Sequence, residues 1–269
     1  MRINTAKSAG FCFGVKRALE IAIKTAKRGK KVYMLGDIVH NENVVRQIEA
    51  SGIKKIGKLN KTKSATLDTF AKAARLGYKI IDATCPMVKE IHRIAKEMQS
   101  KGYKIIIIGD KEHDEVRGIA GQLKDKALVI DGINNIPLEK IKKFKKAAVV
   151  AQSTQNLNAV LKITGILKNH IPDLIFYNTI CKPTRTKQDE VKNMPLENDV
   201  MIIIGSKKSA NTKRLYETSR SLNKNSWWIN SKDEIKPAWF KGAKTAGITA
   251  GASTPESTIK DITGYISSL

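Results

Sequence analysis

The run Tyr103-Lys-Ile-Ile-Ile-Ile108 constrains the fold more than any other stretch. Four consecutive β-branched apolar residues cannot alternate between a buried and a wetted face. Such a strand must be covered on both sides, as in a parallel sheet flanked by helices. Val200-Met-Ile-Ile-Ile204 has the same character. Amphipathic stretches separate runs of this kind along almost the whole chain, and that alternation defines the class as α/β with mostly parallel sheets.

In chain order, a short strand over 2–4 leads to a helix whose apolar positions Val15, Ala18, Leu19, Ala22, Ile23 and Ala26 share one face. A buried strand over 31–35, a helix carrying Val44, Val45 and Ile48, a helix over 68–75 and a strand over 78–83 follow. Residues 54–63 are basic and weakly patterned. Helix then alternates with strand from 87 to 178, ending in a strand over 174–178. The last third opens with a helix over 184–192, and Pro255 is expected at the first position of the final helix. Three similar units are expected: 1–85, containing Cys12 and Cys85; 86–182, containing His113, Glu115 and Cys181; and 183–269. No tight sequence repeat relates them.

In parallel α/β units, ligands sit beyond the carboxyl ends of the strands. The unusual residues of this chain fall there: His40, His113 with Glu115, Ser153, Thr184, Ser209 with Asn211, and Ser253. Cys85 and Cys181 also follow apolar runs, and Cys12 joins them through the short first strand. Helix capping explains the Ser, Thr and Asn residues individually. It does not explain why cysteines and histidines share the same edge.

Three cysteines are too few for a disulfide framework, which favours a reduced, cytoplasmic setting. No apolar run reaches the length of a membrane span and no secretory signal is expected before Cys12. Three thiolates suit zinc or an iron–sulfur cluster, both of which take soft anionic sulfur. The cysteines are far apart with no CxxC, so only a preformed fold could assemble them, and buried inert thiols are the plainer alternative. A three-thiolate cluster would leave one iron open to a substrate oxygen. Near such an iron, the histidines, hydroxyls and Asn amide would suit a diphosphate, with Glu115 as the natural proton source. No GxGxxG motif opens a helix after a strand and no Walker A motif is present.

The formal net charge of +24 makes a polyanionic partner worth weighing. A basic nucleic-acid-binding protein is the alternative from a different class. It rests on charge alone, since no clustered arginine and aromatic surface is readable.

Gly10-Phe-Cys-Phe-Gly-Val-Lys-Arg-Ala18 and Asp82-Ala-Thr-Cys-Pro86 resemble the 4-hydroxy-3-methylbut-2-enyl diphosphate reductase family of iron–sulfur enzymes. Gly36-Asp-Ile-Val-His-Asn41, His113-Asp-Glu-Val116, Gln152-Ser-Thr154, the 205–215 stretch and Gly251-Ala-Ser-Thr-Pro255 occur in that family's order, so the resemblance spans the chain. It implies three α/β units around a central [4Fe-4S] cluster, one per chain, held by Cys12, Cys85 and Cys181. The reaction implied is reductive dehydroxylation of an allylic diphosphate to isopentenyl and dimethylallyl diphosphates. Ferredoxin or flavodoxin would be the electron donor, and neither a specific nucleic acid nor a membrane would be a partner. Glu115 would relay protons. His40, His113, Ser209, Asn211 and Ser253 would grip the diphosphate, with Ser153 and Thr184 nearby.

Three departures stand out. Ala210 replaces a common second serine, and Ser153 takes a position that is usually threonine. The family's additional strand ending in Ser-Ala-His-Gly is not expected over 54–66, where no histidine occurs. Losing that charge-assisted contact would weaken diphosphate binding by about 1.5–3 kcal/mol, with Lys61 or Lys63 as substitutes for its charge. A cluster-binding homologue with altered or lost activity is therefore the alternative within the family.

Overall fold

The computed structural model describes residues 1–57 and 66–269. Strand β1 (Arg2–Thr5) leads to helix α1 (Phe13–Ala26), strand β2 (Val32–Leu35), helix α2 (Glu42–Ala50) and strand β3 (Ile53–Ile56). Helices α3 (Leu67–Arg75) and α4 (Pro86–Ser100) precede strand β4 (Lys104–Ile108), helix α5 (Asp114–Ala120) and strand β5 (Leu128–Ile130). Helix α6 (Leu138–Ile141), strand β6 (Lys146–Ala151), helix α7 (Leu157–Lys168) and strand β7 (Asp173–Phe176) come next. Helix α8 (Lys182–Glu197), strand β8 (Val200–Ile204), helix α9 (Ala210–Leu222) and strand β9 (Ser226–Ile229) lead to strand β10 (Thr245–Ala250) and helix α10 (Glu256–Ser267).

The chain packs into two compact units. One comprises Met1–Lys31, Asp37–Ile53 and Lys182–Leu269; the other comprises Val32–Gly36 and Lys54–Cys181. The 1–85 segment is thus divided between them, because β1 pairs with β10 at the far end of the sequence.

In the first unit the sheet order is β1-β10-β8-β9, and every pairing is parallel. All five residues of β8 are buried. Ile202 and Ile204 face one apolar cluster with Ile248 and Ile262, while Met201 and Ile203 face another with Val191 and Leu215. Burying each of these large side chains contributes about 1.5–3 kcal/mol.

In the second unit the order is β5-β4-β6-β7, again wholly parallel. The isoleucine run of β4 divides as its composition requires. Ile106 and Ile108 pack on one face with Val149 and Leu167, and Ile105 and Ile107 on the other with Ile91 and Val116.

Three local expectations change. Residues 78–83 join no sheet, and Tyr78, Ile80 and Ile81 are exposed. An apolar run sets no strand by itself, since pairing depends on an available partner edge. Residues 54–56, where no strand was expected, belong to β3 and pair with β2. The Ile-Lys-Lys-Ile pattern of β3 does not alternate, yet Ile53 is buried and Ile56 accepts the Gly36 N–H at 3.0 Å. Pro255 is the N-cap of α10 rather than its first residue, with ψ at 147°. Lys61 and Lys63 lie outside the described residues.

Among the described residues, no helix is long and apolar enough to cross a membrane.

Candidate functional site

The loops that follow the strands carry most of the residues singled out from the sequence, whereas Cys85 follows 78–83, which joins no sheet, and Thr184 lies within α8. In the second unit, β4 ends at Ile108, and Gly109 and Asp110 lead to α5. His113 is the N-cap of α5, with its Nδ1 accepting the Glu115 N–H at 3.1 Å. Capping fixes the imidazole and turns the neighbouring carboxylate onto the next loop. There Glu115 accepts the Ser153 N–H at 2.5 Å and the Ser153 Oγ–H at 2.7 Å.

Other bonds tie this edge together. Gln152 Oε1 accepts the Asp110 N–H at 2.9 Å, and Gln152 Nε2 donates to Thr154 Oγ1 at 3.1 Å. Thr179 Oγ1 accepts the Ala151 N–H at 2.8 Å and donates to Ala151 O at 2.6 Å. Cys181 donates its N–H to Ser153 O at 3.0 Å. Glu115, Ser153 and the Cys181 backbone therefore form one continuous chain of hydrogen bonds. Gln152 and Thr179 sit beside the predicted residues; only the Gln152-Ser-Thr154 motif hinted at the first.

In the first unit, β1 leads to Cys12, β8 to Ser209 and Asn211, and β10 to Ser253. Ser209 is the N-cap of α9, accepting the Thr212 N–H at 3.2 Å. Ser253 Oγ donates to His40 O at 3.2 Å, which joins the loop before α2 to the loop after β10. Ser209, Asn211 and Ser253 are buried, and His40 is half-buried. Among the described residues, Asn211 Nδ2 has no hydrogen-bond partner. A buried amide donor left open is costly unless a ligand supplies an acceptor.

Lys208, in the loop before α9, pairs with Glu42 of α2 at 3.3 Å. Burial works to raise the Glu42 carboxyl pKa, but hydrogen bonds from its own backbone N–H, Ser206 and Lys208 outweigh it and hold the group below its ordinary range. Thr184 is buried on α8.

None of the three cysteines is in a disulfide, and all are half-buried. Cys12 and Cys85 are the N-caps of α1 and α4, and neither side chain makes a capping hydrogen bond. Cys181 immediately precedes α8. The positive end of a helix favours a thiolate, so all three positions suit anionic sulfur ligands. Asp82 braces the turn before Cys85, accepting the Thr84 N–H at 2.9 Å and pairing with Lys89 at 2.6 Å.

Cys12 lies in the first unit, and Cys85 and Cys181 in the second. Among the described residues, no three His, Cys, Asp or Glu side chains gather into a ready metal site. The donor set nevertheless fits an iron–sulfur cluster: three undisulfided thiols, each at a helix start. Gly10 has a local cause. Its φ is +93°, and a Cβ there would lie 3.0 Å from Ile259 Cδ1 and 3.3 Å from Thr254 O.

Fold and site together define an α/β protein with two four-stranded parallel sheets, whose strands β4, β6, β8 and β10 lead to Glu115, Ser153, Ser209 and Ser253. The family model for the LytB protein matches residues 3–267, and the chain belongs to that family. A 4-hydroxy-3-methylbut-2-enyl diphosphate reductase of Pelobacter propionicus is 36% identical over 275 residues, covering 99% of this chain and 98% of the relative. The solved structure of (E)-4-hydroxy-3-methyl-but-2-enyl diphosphate reductase, described as the terminal enzyme of the non-mevalonate pathway, is similar with a TM-score of 0.71 and 36% identity, covering 100% of both chains. The E-1-hydroxy-2-methyl-but-2-enyl-4-diphosphate reductase of Plasmodium falciparum gives a TM-score of 0.88 at 27% identity, covering 100% of this chain and 87% of that one.

Proposed function

We propose that the protein is a 4-hydroxy-3-methylbut-2-enyl diphosphate reductase, removing the allylic hydroxyl of its substrate to give isopentenyl and dimethylallyl diphosphates. One observation carries this reading. Three cysteines outside any disulfide, each at a helix start, and a carboxylate held by Ser153 belong to a chain matched by the LytB family model from 3 to 267.

Cys12, Cys85 and Cys181 are the proposed ligands of a [4Fe-4S] cluster. When bound, that cluster supplies electrons and a Lewis-acidic iron. Ser209, Asn211, Ser253 and His40 are proposed to bind the diphosphate, as is His113. Asn211 offers a buried amide donor, and the start of α9 adds oriented backbone N–H groups. Glu115 is the proposed proton carrier. Two hydrogen bonds from Ser153 fix its carboxylate, and protonation would turn one oxygen into a donor. A one-electron donor of the ferredoxin or flavodoxin type and a cytoplasmic location complete the reading.

Anaerobic purification tests the proposal. The expected result is a coloured protein carrying about four irons per chain that converts the hydroxylated diphosphate under reducing conditions. A reconstituted protein with iron-free spectra and no turnover would sink it.

A further inference from the structure

Helix α8 carries a buried lysine that the proposed chemistry does not use. Lys187 is 1% exposed and lies on the covered stripe Thr184, Lys187, Gln188 and Val191. An ammonium in such surroundings is retained only with good polar partners. Lys187 Nζ donates to Ser8 O and, at 3.2 Å, to Ala250 O. One helical turn further along, the Glu190 carboxylate accepts the Ser8 N–H at 3.2 and 3.3 Å, and also accepts the Ser8 hydroxyl.

All the hydrogen-bonding groups of Ser8 are thereby engaged by two side chains from one helix. The two carbonyls reached by Lys187 begin two strands of chain that meet again at Cys12. One runs from Ser8 to Cys12, and the other from Ala250 to Ala252, whose carbonyl accepts the Cys12 N–H at 3.1 Å. The ammonium and the Cys12 amide close opposite ends of the same loop.

We infer that Lys187 and Glu190 are positioning residues for Cys12, fixing the loop that presents its thiol to an iron–sulfur cluster. The inference rests on the reading of Cys12 as a cluster ligand. Supporting residues one step removed from a metal typically change metal affinity by about 10–100-fold. Lys187→Met keeps most of the volume but none of the donors. Lys187→Arg keeps the charge and donors.

The test uses the cluster-loaded full chain. Iron release to a chelator is timed, the cluster's electron paramagnetic signature is recorded, and iodoacetamide labelling of each cysteine is read by peptide mass spectrometry. For Lys187→Met, iron release roughly tenfold faster, an altered signature and labelling of Cys12 ahead of Cys85 and Cys181 are expected. Lys187→Arg should restore protection of Cys12. Equal labelling of the three cysteines in Lys187→Met would overturn the inference, because general loosening would expose all of them. So would wild-type rates and signature. If Lys187→Met does not fold, Glu190→Gln, at a half-buried position, carries the same comparison. A wild-type chain that takes up no iron would overturn the ligand reading itself; early labelling of Cys12 in the variant would then still locate the effect on this loop.

Discussion

Glu115 receives two hydrogen bonds from one residue, Ser153: one from its backbone N–H and one from its hydroxyl. The paired donors hold both carboxylate oxygens, so the acid is oriented before any substrate arrives. Glu115→Gln preserves the shape and removes the proton. The expected outcome is a fall in kcat of about 10²-fold or more, with substrate affinity changed little. Ser153→Ala leaves the backbone donor in place, so its cost should be smaller, about tenfold in kcat. Steady-state turnover of the two variants checks the order. A Ser153→Ala defect as deep as Glu115→Gln would mean that the hydroxyl acts on substrate directly.

The open amide of Asn211 makes a different demand. If its Nδ2 donates to the diphosphate, Asn211→Ala should weaken substrate binding by about 1.5–3 kcal/mol. Asn211→Asp should do worse, placing a carboxylate against an anion. Calorimetric titration of the oxidised, cluster-loaded protein with substrate measures both. Unchanged affinity in Asn211→Asp would remove this residue from the diphosphate site.

Gly109 lies where β4 turns towards α5. A Cβ there would come within 2.7 Å of Val116 Cγ2 and 2.8 Å of Gln152 Cβ. Val116 adjoins Glu115, and Gln152 adjoins Ser153. Gly109→Ala should therefore cost about 1–3 kcal/mol of stability and lower kcat through the same carboxylate. Thermal unfolding and turnover, measured together, test the coupling. Normal activity with lowered stability would separate the two.

Asp199 supplies a stability effect with a defined pH sign. The backbone N–H of Thr245, the backbone N–H of Lys244 and the Thr245 hydroxyl all hydrogen-bond its carboxylate, holding its pKa below the ordinary value. The unfolded chain then binds the proton more readily. Stability from Asp199 should be complete above the unfolded pKa of about 3.9 and fade as pH falls through the lower folded value. Asp199→Ala should lower Tm at neutral pH, and the gap from wild type should narrow in acid. A gap that widens on acidification would contradict this assignment.

Much of the site was legible because parallel strands deliver their following residues to one edge. The unbroken runs of β4 and β8 identified such strands, and the Ser and Asn residues after them fell where expected. Partnership was less legible. Nothing in Arg2-Ile-Asn-Thr5 names β10 as its neighbour, and that pairing decides which unit holds Cys12. Tyr78, Ile80 and Ile81 have strand-like composition without a sheet edge to join. Lys187 was missed because a lysine normally reads as exposed. The signal was positional, in its spacing from Thr184 and Val191 on one helical stripe.

The pairing of β1 with β10 also sets a schedule. Arg2 is matched to Thr245 and Thr5 to Ile248, so the opening strand of the sequence has no sheet to join until the tenth strand has been made. Closing so long a loop is slow compared with forming local structure. During synthesis β1 stays without its sheet partner while the β4–β6 region can already assemble. The native sheet that anchors the strand ahead of Cys12 is therefore completed only when the last strand of the sequence joins it.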